Sequence, residues 1–325
     1  MALRLLAAPA GRDGFAGADN GAPARWTCAL VNNMPDGAFV ATEGQFLDLL
    51  GAASGADVVE VRRYTMDGVP RSERTAEHIA AGYAPVADIG RHPPDLLIVT
   101  GSEPVEEAIE DEHYWAELAG LLEWGSKHTA SMLLSCLSAH AALAVFDGVA
   151  RIRLPAKCTG VFDQVADGRH PLTAGLGSGI VLPHSRQNGV PVEAVCAAGY
   201  HVGMGSKAVG WSLVSKAIGN CEVVLVQGHP EYEPQSLLGE YRRDVRRYVQ
   251  HERDAIPRLP LHCASPDDWE RLCEIQRRLE QGERDPALVE GFDFDGAAVR
   301  APWPWRDTAT RLYANWLAGA DTRSD

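Results

Sequence analysis

The chain has 325 residues, 46% of them hydrophobic and 23% charged, with 30 Lys+Arg against 44 Asp+Glu and a formal net charge of −14. This is too apolar for a disordered chain, and an acidic balance without a basic cluster argues against a nucleic-acid binder. No apolar run reaches the roughly 20 residues of a membrane span, and seven cysteines with no CxxC pair read as reduced thiols in a cytoplasm.

Residues 1–24 are rich in Ala, Gly, Pro and Asp and are expected to form a flexible N-terminal arm. Their apolar opening is too short for a secretory signal. An α/β domain is expected over 25–251. The run from Trp26 to Asn32 predicts a strand buried on both faces. Thr42 stands ahead of Phe46, Leu47, Leu49 and Leu50 on helical spacing, which predicts a helix capped by that threonine. Strands are predicted at 58–64, 95–101 and 131–136, with helices at about 112–126 and 137–146. Such alternation is the pattern of a doubly wound, mostly parallel sheet with helices on both faces.

The second half is mixed. Two or three strands with glycine turns at 199–228 read as added antiparallel strands. A helix follows at 234–251, with Leu237, Leu238, Tyr241, Val245, Tyr248 and Val249 on one face and arginines on the other. The charged, proline-broken stretch 252–300 is expected to be a peripheral insertion with one helix near 267–281. The tail 301–325 carries Trp303, Trp305, Tyr313 and Trp316 and is expected to pack on the main domain as part of a helical C-terminal region.

Cys136 ends an apolar strand and is followed at once by a helix. A thiol at such a turn lies at the C-terminal edge of the sheet, where open α/β folds bind ligands. The helix N-terminus there can favour the thiolate, and the Leu137 backbone N–H is placed to meet an oxyanion. His229, in Gln-Gly-His-Pro-Glu-Tyr after another strand, should emerge at the same edge. Glu231 could hold one ring nitrogen and leave the other to take a thiol proton. His140, one turn beyond Cys136, is a competing base or a substrate contact. Read alone, Lys157 is an ordinary loop lysine, and Arg243 and Arg247 form a solvated helix face. Gly203-Met-Gly-Ser-Lys207 has the wrong order for a phosphate loop. His229 and Glu231 lack further ligands at metal spacing, so no metal is expected; no permanently bound cofactor is expected either.

Several segments occur in order: Asn33-Met-Pro, Thr42-Glu-x-Gln-Phe-Leu-x-Leu-Leu, Thr100-Gly, Tyr114-Trp, Pro155-Ala-Lys-Cys-Thr-Gly-Val-Phe, Pro183-His-Ser-Arg, Gly228-His-Pro-Glu-Tyr, Glu240-Tyr-Arg-Arg-Asp-Val and Asn315-Trp-Leu. Together they resemble the homoserine O-succinyltransferase/O-acetyltransferase family of methionine biosynthesis, over about residues 26–250 and again near 303–317. The resemblance implies a fold like the class I glutamine amidotransferases and ping-pong transfer from an acyl-CoA co-substrate to homoserine. It implies Cys136 as the acyl carrier, His229 as base and Glu231 as its orienting group. Lys157, Ser185 and Arg243 match positions lining the substrate pocket. A cytoplasmic homodimer acting on small molecules, with no nucleic-acid or membrane partner, is expected with it.

The sequence departs from the family in places. Leu137 and His140 stand where typical members carry Trp and Gln. In the loop after Thr100-Gly, a Glu goes with acetyl donors in the family and a Gly with succinyl. Here the register leaves Val105 or Glu106 at the deciding place. Alternatives of the same mechanism would acylate serine or another hydroxy-amino acid. Alternatives of another class are a cysteine hydrolase or amidotransferase, and a non-catalytic binding module.

Overall fold

The structure is a computed structural model that describes residues 3–6 and 23–321. The chain forms strands β1 (Leu3–Leu5) and β2 (Trp26–Val31), helix α1 (Asp36–Ala53), β3 (Val59–Thr65), α2 (Glu73–Gly82), β4 (Tyr83–Pro85) and β5 (Leu96–Val99). Then come α3 (Trp115–His128), β6 (Ser131–Ser135), α4 (Leu137–Asp147), β7 (Ile152–Asp163), β8 (Val165–Ala166), β9 (Val181–Gly189) and α5 (Val192–Ala197). Strands β10 (His201–Ser206), β11 (Gly210–Ile218) and β12 (Cys221–Val226) precede α6 (Pro234–Val249), α7 (Pro266–Glu280), α8 (Ala287–Glu290), α9 (Phe294–Arg300) and α10 (Arg306–Asp321).

The main sheet runs β1-β3-β2-β5-β6-β12-β11-β10-β8, with β4 paired to β3. From β1 to β12 every pairing is parallel. Strands β5 and β6 are buried at every residue, as strands covered on both faces must be. One core joins the sheet to α1, α6 and α10 through Phe46, Tyr241 and Trp316, and the other joins it to α3 and α4 through Leu118 and Leu143. Among the described residues no helix is long and apolar enough to cross a membrane.

Several elements differ from the sequence reading. Helix α1 starts six residues before Thr42, which lies buried inside it; its N-cap is Pro35, without a side-chain cap. Asp36 suits the positive end of the helix, and the fully buried Phe39 anchors the added turns. Strand β12 is not simply the last antiparallel addition. It pairs parallel with β6 on one edge and antiparallel with β11 on the other, so the sheet changes sense there.

The β7–β9 ribbon, a separate two-stranded antiparallel sheet, has no counterpart in the sequence reading, because most of β7 is exposed or half-buried and lacks an apolar run. Most of the expected N-terminal arm, residues 7–22, lies outside the described residues, while Leu3–Leu5 forms an edge strand on β3. The stretch 252–300 carries three helices, and its Leu272, Leu279 and Phe294 join the core beneath α6. In the tail, Trp305 Nε1 donates to the Tyr232 carbonyl at 2.8 Å and Trp316 Nε1 to Ser131 Oγ at 2.8 Å.

Candidate active site

Cys136 occupies the single-residue turn between β6 and α4, with φ 50° and ψ −103°. Only glycine reaches such angles without strain, so the sheet and helix on either side must hold the thiol there. Its N–H donates to Val226 O on β12 at 2.7 Å. The loop after β5 comes close: a Cβ on Gly101 would lie 3.3 Å from Cys136 Cβ and 3.7 Å from Leu137 N. The Leu137 amide opens α4 and therefore has no helical carbonyl behind it. Ser138 Oγ donates to Thr100 O at 2.5 Å and ties that first turn to the β5 loop.

His229 follows β12, and its N–H donates to Pro183 O at 2.8 Å, which pins the turn to β9. Its ring is buried and stacks on Tyr232 with centroids 4.2 Å apart. Nδ1 meets Glu231 Oε1 at 2.8 Å, while Nε2 is buried with no hydrogen-bond partner. Burial opposes charge on this ring. The Glu231 carboxylate and the neighbouring Cys136 sulfur outweigh it, so the imidazole pKa lies well above the ordinary histidine value.

The far wall of the cleft is the polar edge of α6, where Glu240 and Asp244 stand one turn apart. Lys157 Nζ donates to Glu240 Oε2 at 3.2 Å and to Asp244 Oδ2 at 3.1 Å. Ser185 Oγ also donates to Glu240 Oε2, and Tyr232 OH to Glu240 Oε1 at 2.5 Å. Arg243 Nη2 donates to Asp244 Oδ1 at 3.1 Å. Burial would raise the Glu240 pKa, but Lys157, Ser185 and Tyr232 hold it below the usual carboxylate range. Burial likewise works against the Lys157 charge, and Glu240 with Asp244 overrides it. Sequence reasoning singled out Lys157, Ser185 and Arg243 but missed Glu240, Asp244 and Tyr232. The visible signal was two carboxylates four residues apart beside the apolar face of a helix.

These residues share one cleft of about 430 Å³. Arg247, expected on a solvated face, donates to Glu103 Oε1 at 3.1 Å, as does Arg253 at 3.2 Å. Val105 lies on the cleft rim, 76% exposed. Glu106 is exposed and outside the lining, and both of their amides donate to Glu112 Oε1. The carboxylate that this loop brings to the cleft is therefore Glu103, which the sequence reading did not single out. His140 Nε2 lies 3.0 Å from Gln227 Oε1, and burial pushes its pKa down to about 4.

Residues 18–322 match the profile of the family described as homoserine O-succinyltransferase. The chain is 37% identical to a homoserine O-succinyltransferase of Methylorubrum extorquens, across 90% of this chain and 87% of that protein. It is 38% identical to one of Rhodopseudomonas palustris, across 89% and 86%. Among solved structures, it is similar to a glutamine amidotransferase of Thermotoga maritima at 12% identity and a TM-score of 0.48, covering 91% of this chain and 98% of the other. A glutamine amidotransferase of Methylobacillus flagellatus gives 13% and 0.48, covering 91% and 96%.

Proposed function

Because the chain belongs to the homoserine O-succinyltransferase family, we propose that it moves an acyl group from acyl-CoA through Cys136 to the hydroxyl of homoserine, as a step of methionine biosynthesis. One observation carries this reading. In the cleft that Cys136 lines, His229 has Nδ1 fixed by Glu231 and keeps Nε2 buried, and the Glu231 carboxylate and the Cys136 sulfur raise the ring's pKa against burial.

In this scheme His229 Nε2 holds the Cys136 proton while the sulfur attacks the thioester carbonyl. The tetrahedral oxyanion meets the Leu137 N–H. Collapse breaks the carbon–sulfur bond to CoA, and His229 returns the proton to the departing thiolate. Homoserine then gives its hydroxyl proton to His229 and attacks the acyl-Cys136 thioester. The second collapse releases O-acylhomoserine, and the proton on His229 restores the thiol. Arg243 pairs with the amino acid's carboxylate, and Glu240, steadied by Lys157 and Ser185, accepts from its ammonium.

Succinyl-CoA is the proposed donor. Glu103, the carboxylate that the β5 loop contributes to the cleft lining, is neutralised by Arg247 and Arg253. A succinyl carboxylate therefore meets Arg253 there and no bare anion. The test is CoA-thiol release from succinyl-CoA and acetyl-CoA, with and without L-homoserine, by the native chain and Cys136→Ala. Homoserine-dependent release from succinyl-CoA that disappears in the variant is expected. An active Cys136→Ala would sink the covalent route, and release without homoserine would turn the reading towards a hydrolase.

A further inference from the structure

A second cavity, of about 480 Å³, opens against the β7–β9 ribbon and shares only Lys157 and Arg186 of its lining with the cleft of Cys136. The ribbon's register explains the junction. Arg153 pairs with Asn188 and Cys158 with Arg186, so residues 154–157 bulge out opposite Gln187 alone.

The walls are apolar, from Leu154, Phe162, Val190 and Leu261, and the charged side chains lining the cavity are all cations: Lys157, Arg186 and Arg258. Lys157 is already paired with Glu240 and Asp244, so in a chain of net charge −14 the local reversal rests on Arg186 and Arg258. Arg186 is only 7% exposed. Its Nη1 donates to Asn188 O at 2.8 Å and its Nη2 to Val209 O at 2.6 Å, while Nε has no partner. No carboxylate balances it among the described residues. Burying a guanidinium that way costs desolvation energy which a bound anion would offset. Arg258 is exposed on the same cavity and forms no ion pair among the described residues. Cys158 stands directly opposite Arg186 in the ribbon; burial raises its thiol pKa, and the Arg186 and Arg258 guanidiniums oppose that rise.

We propose that this second cavity receives the phosphate-bearing nucleotide end of the acyl-CoA donor, while its thioester end reaches Cys136 past Lys157. Guanidinium groups suit phosphate oxygens through paired N–H donors, and the apolar walls suit a purine ring. The inference rests on the acyl-CoA reading of the cleft and adds to it where the rest of the donor lies.

The experiment compares acyl-CoA with the same acyl group on pantetheine, which lacks the nucleotide, as donors for the native chain, Arg258→Gln and Arg258→Glu. Arg258→Gln should raise the KM for acyl-CoA about tenfold, the worth of one charge-assisted hydrogen bond, and Arg258→Glu more. With acyl-pantetheine all three proteins should behave alike. An unchanged KM for acyl-CoA in both variants, or an equal loss with acyl-pantetheine, would overturn the proposal. A native chain that transfers from neither donor would sink the acyl-transfer reading instead. Calorimetric binding of CoA then decides the cavity separately: loss of binding in Arg258→Glu upholds it, and equal or absent binding in both proteins overturns it.

Discussion

His229 Nδ1 and Glu231 Oε1 meet at 2.8 Å on the turn after β12, with both side chains buried. The contact fixes which ring nitrogen is left free and, against the effect of burial, helps raise the ring's pKa above its ordinary 6.5. Glu231→Gln should lower kcat/KM by about a hundredfold or more, the scale of a misoriented general base. The sign of the stability effect follows from the raised pKa. The charged ring stabilises the fold fully below the ordinary value, and that contribution is lost as pH rises through the folded-state value. The melting temperature should therefore fall as the pH is raised above neutrality, and Glu231→Gln should flatten that fall. A variant with native kcat/KM would remove Glu231 from the mechanism.

Cys136 pairs its position with backbone strain, since φ 50° is unfavourable for any side chain. Cys136→Ala keeps the strain, and Cys136→Gly relieves it at a smaller cost in unfolded-state entropy. Both should lose acyl transfer, while the glycine variant should be more stable than the alanine variant by about 1 kcal/mol. Equal denaturation midpoints for the two would show that the turn is relaxed.

The strands that carry Cys136 and His229 were legible because β6 and β12 hold the apolar runs Met132–Leu134 and Val223–Val226 shortly before residues with reactive side chains. The helix after Cys136 was legible for the same reason. The β7–β9 ribbon was not, because alternation is absent where β7 is mostly exposed or half-buried and bulged between Arg153 and Cys158. Without the ribbon, Lys157 and Ser185 could be located only by their resemblance to family motifs. Glu240 and Asp244 escaped because charged residues beside an apolar helical face usually face solvent. Their role emerges only once Lys157 arrives from a distant strand.

That Lys157–Glu240–Asp244 contact makes a sharp prediction. Lys157→Met leaves two carboxylates in a largely buried place without their cation and should destabilise the chain at neutral pH by about 3 kcal/mol. The pKa values of Glu240 and Asp244 are lowered by Lys157 against the opposing effect of burial. Their contribution is present above the ordinary carboxylate values of 4.5 and 3.8, and is lost as pH falls through the lower folded-state values. Denaturation of native and variant chains from pH 7 downwards should therefore give curves that converge in acid. A constant gap at every pH would mean that Lys157 acts by packing alone.

His140 offers the contrasting case of a histidine in the cleft that is a poor base. Gln227 Nε2 donates to the Trp211 carbonyl at 2.8 Å, which leaves Gln227 Oε1 to accept from His140 Nε2 at 3.0 Å. The ring therefore carries its proton on Nε2, and burial holds its pKa near 4. Such a group should not contribute a limb to the activity profile near neutrality. His140→Gln should keep kcat within about tenfold of native, where loss of the proposed base, His229, should cost about 10²–10⁴-fold. Stability has the opposite sign to that of His229. A depressed histidine pKa stabilises the fold above 6.5 and loses that contribution as pH falls towards 4. His140→Gln should thus lose less stability than the native chain across that interval, with His184, whose pKa burial also lowers, accounting for part of the remainder. If His140→Gln instead abolished transfer while His229→Gln kept it, the two histidines would have to exchange roles.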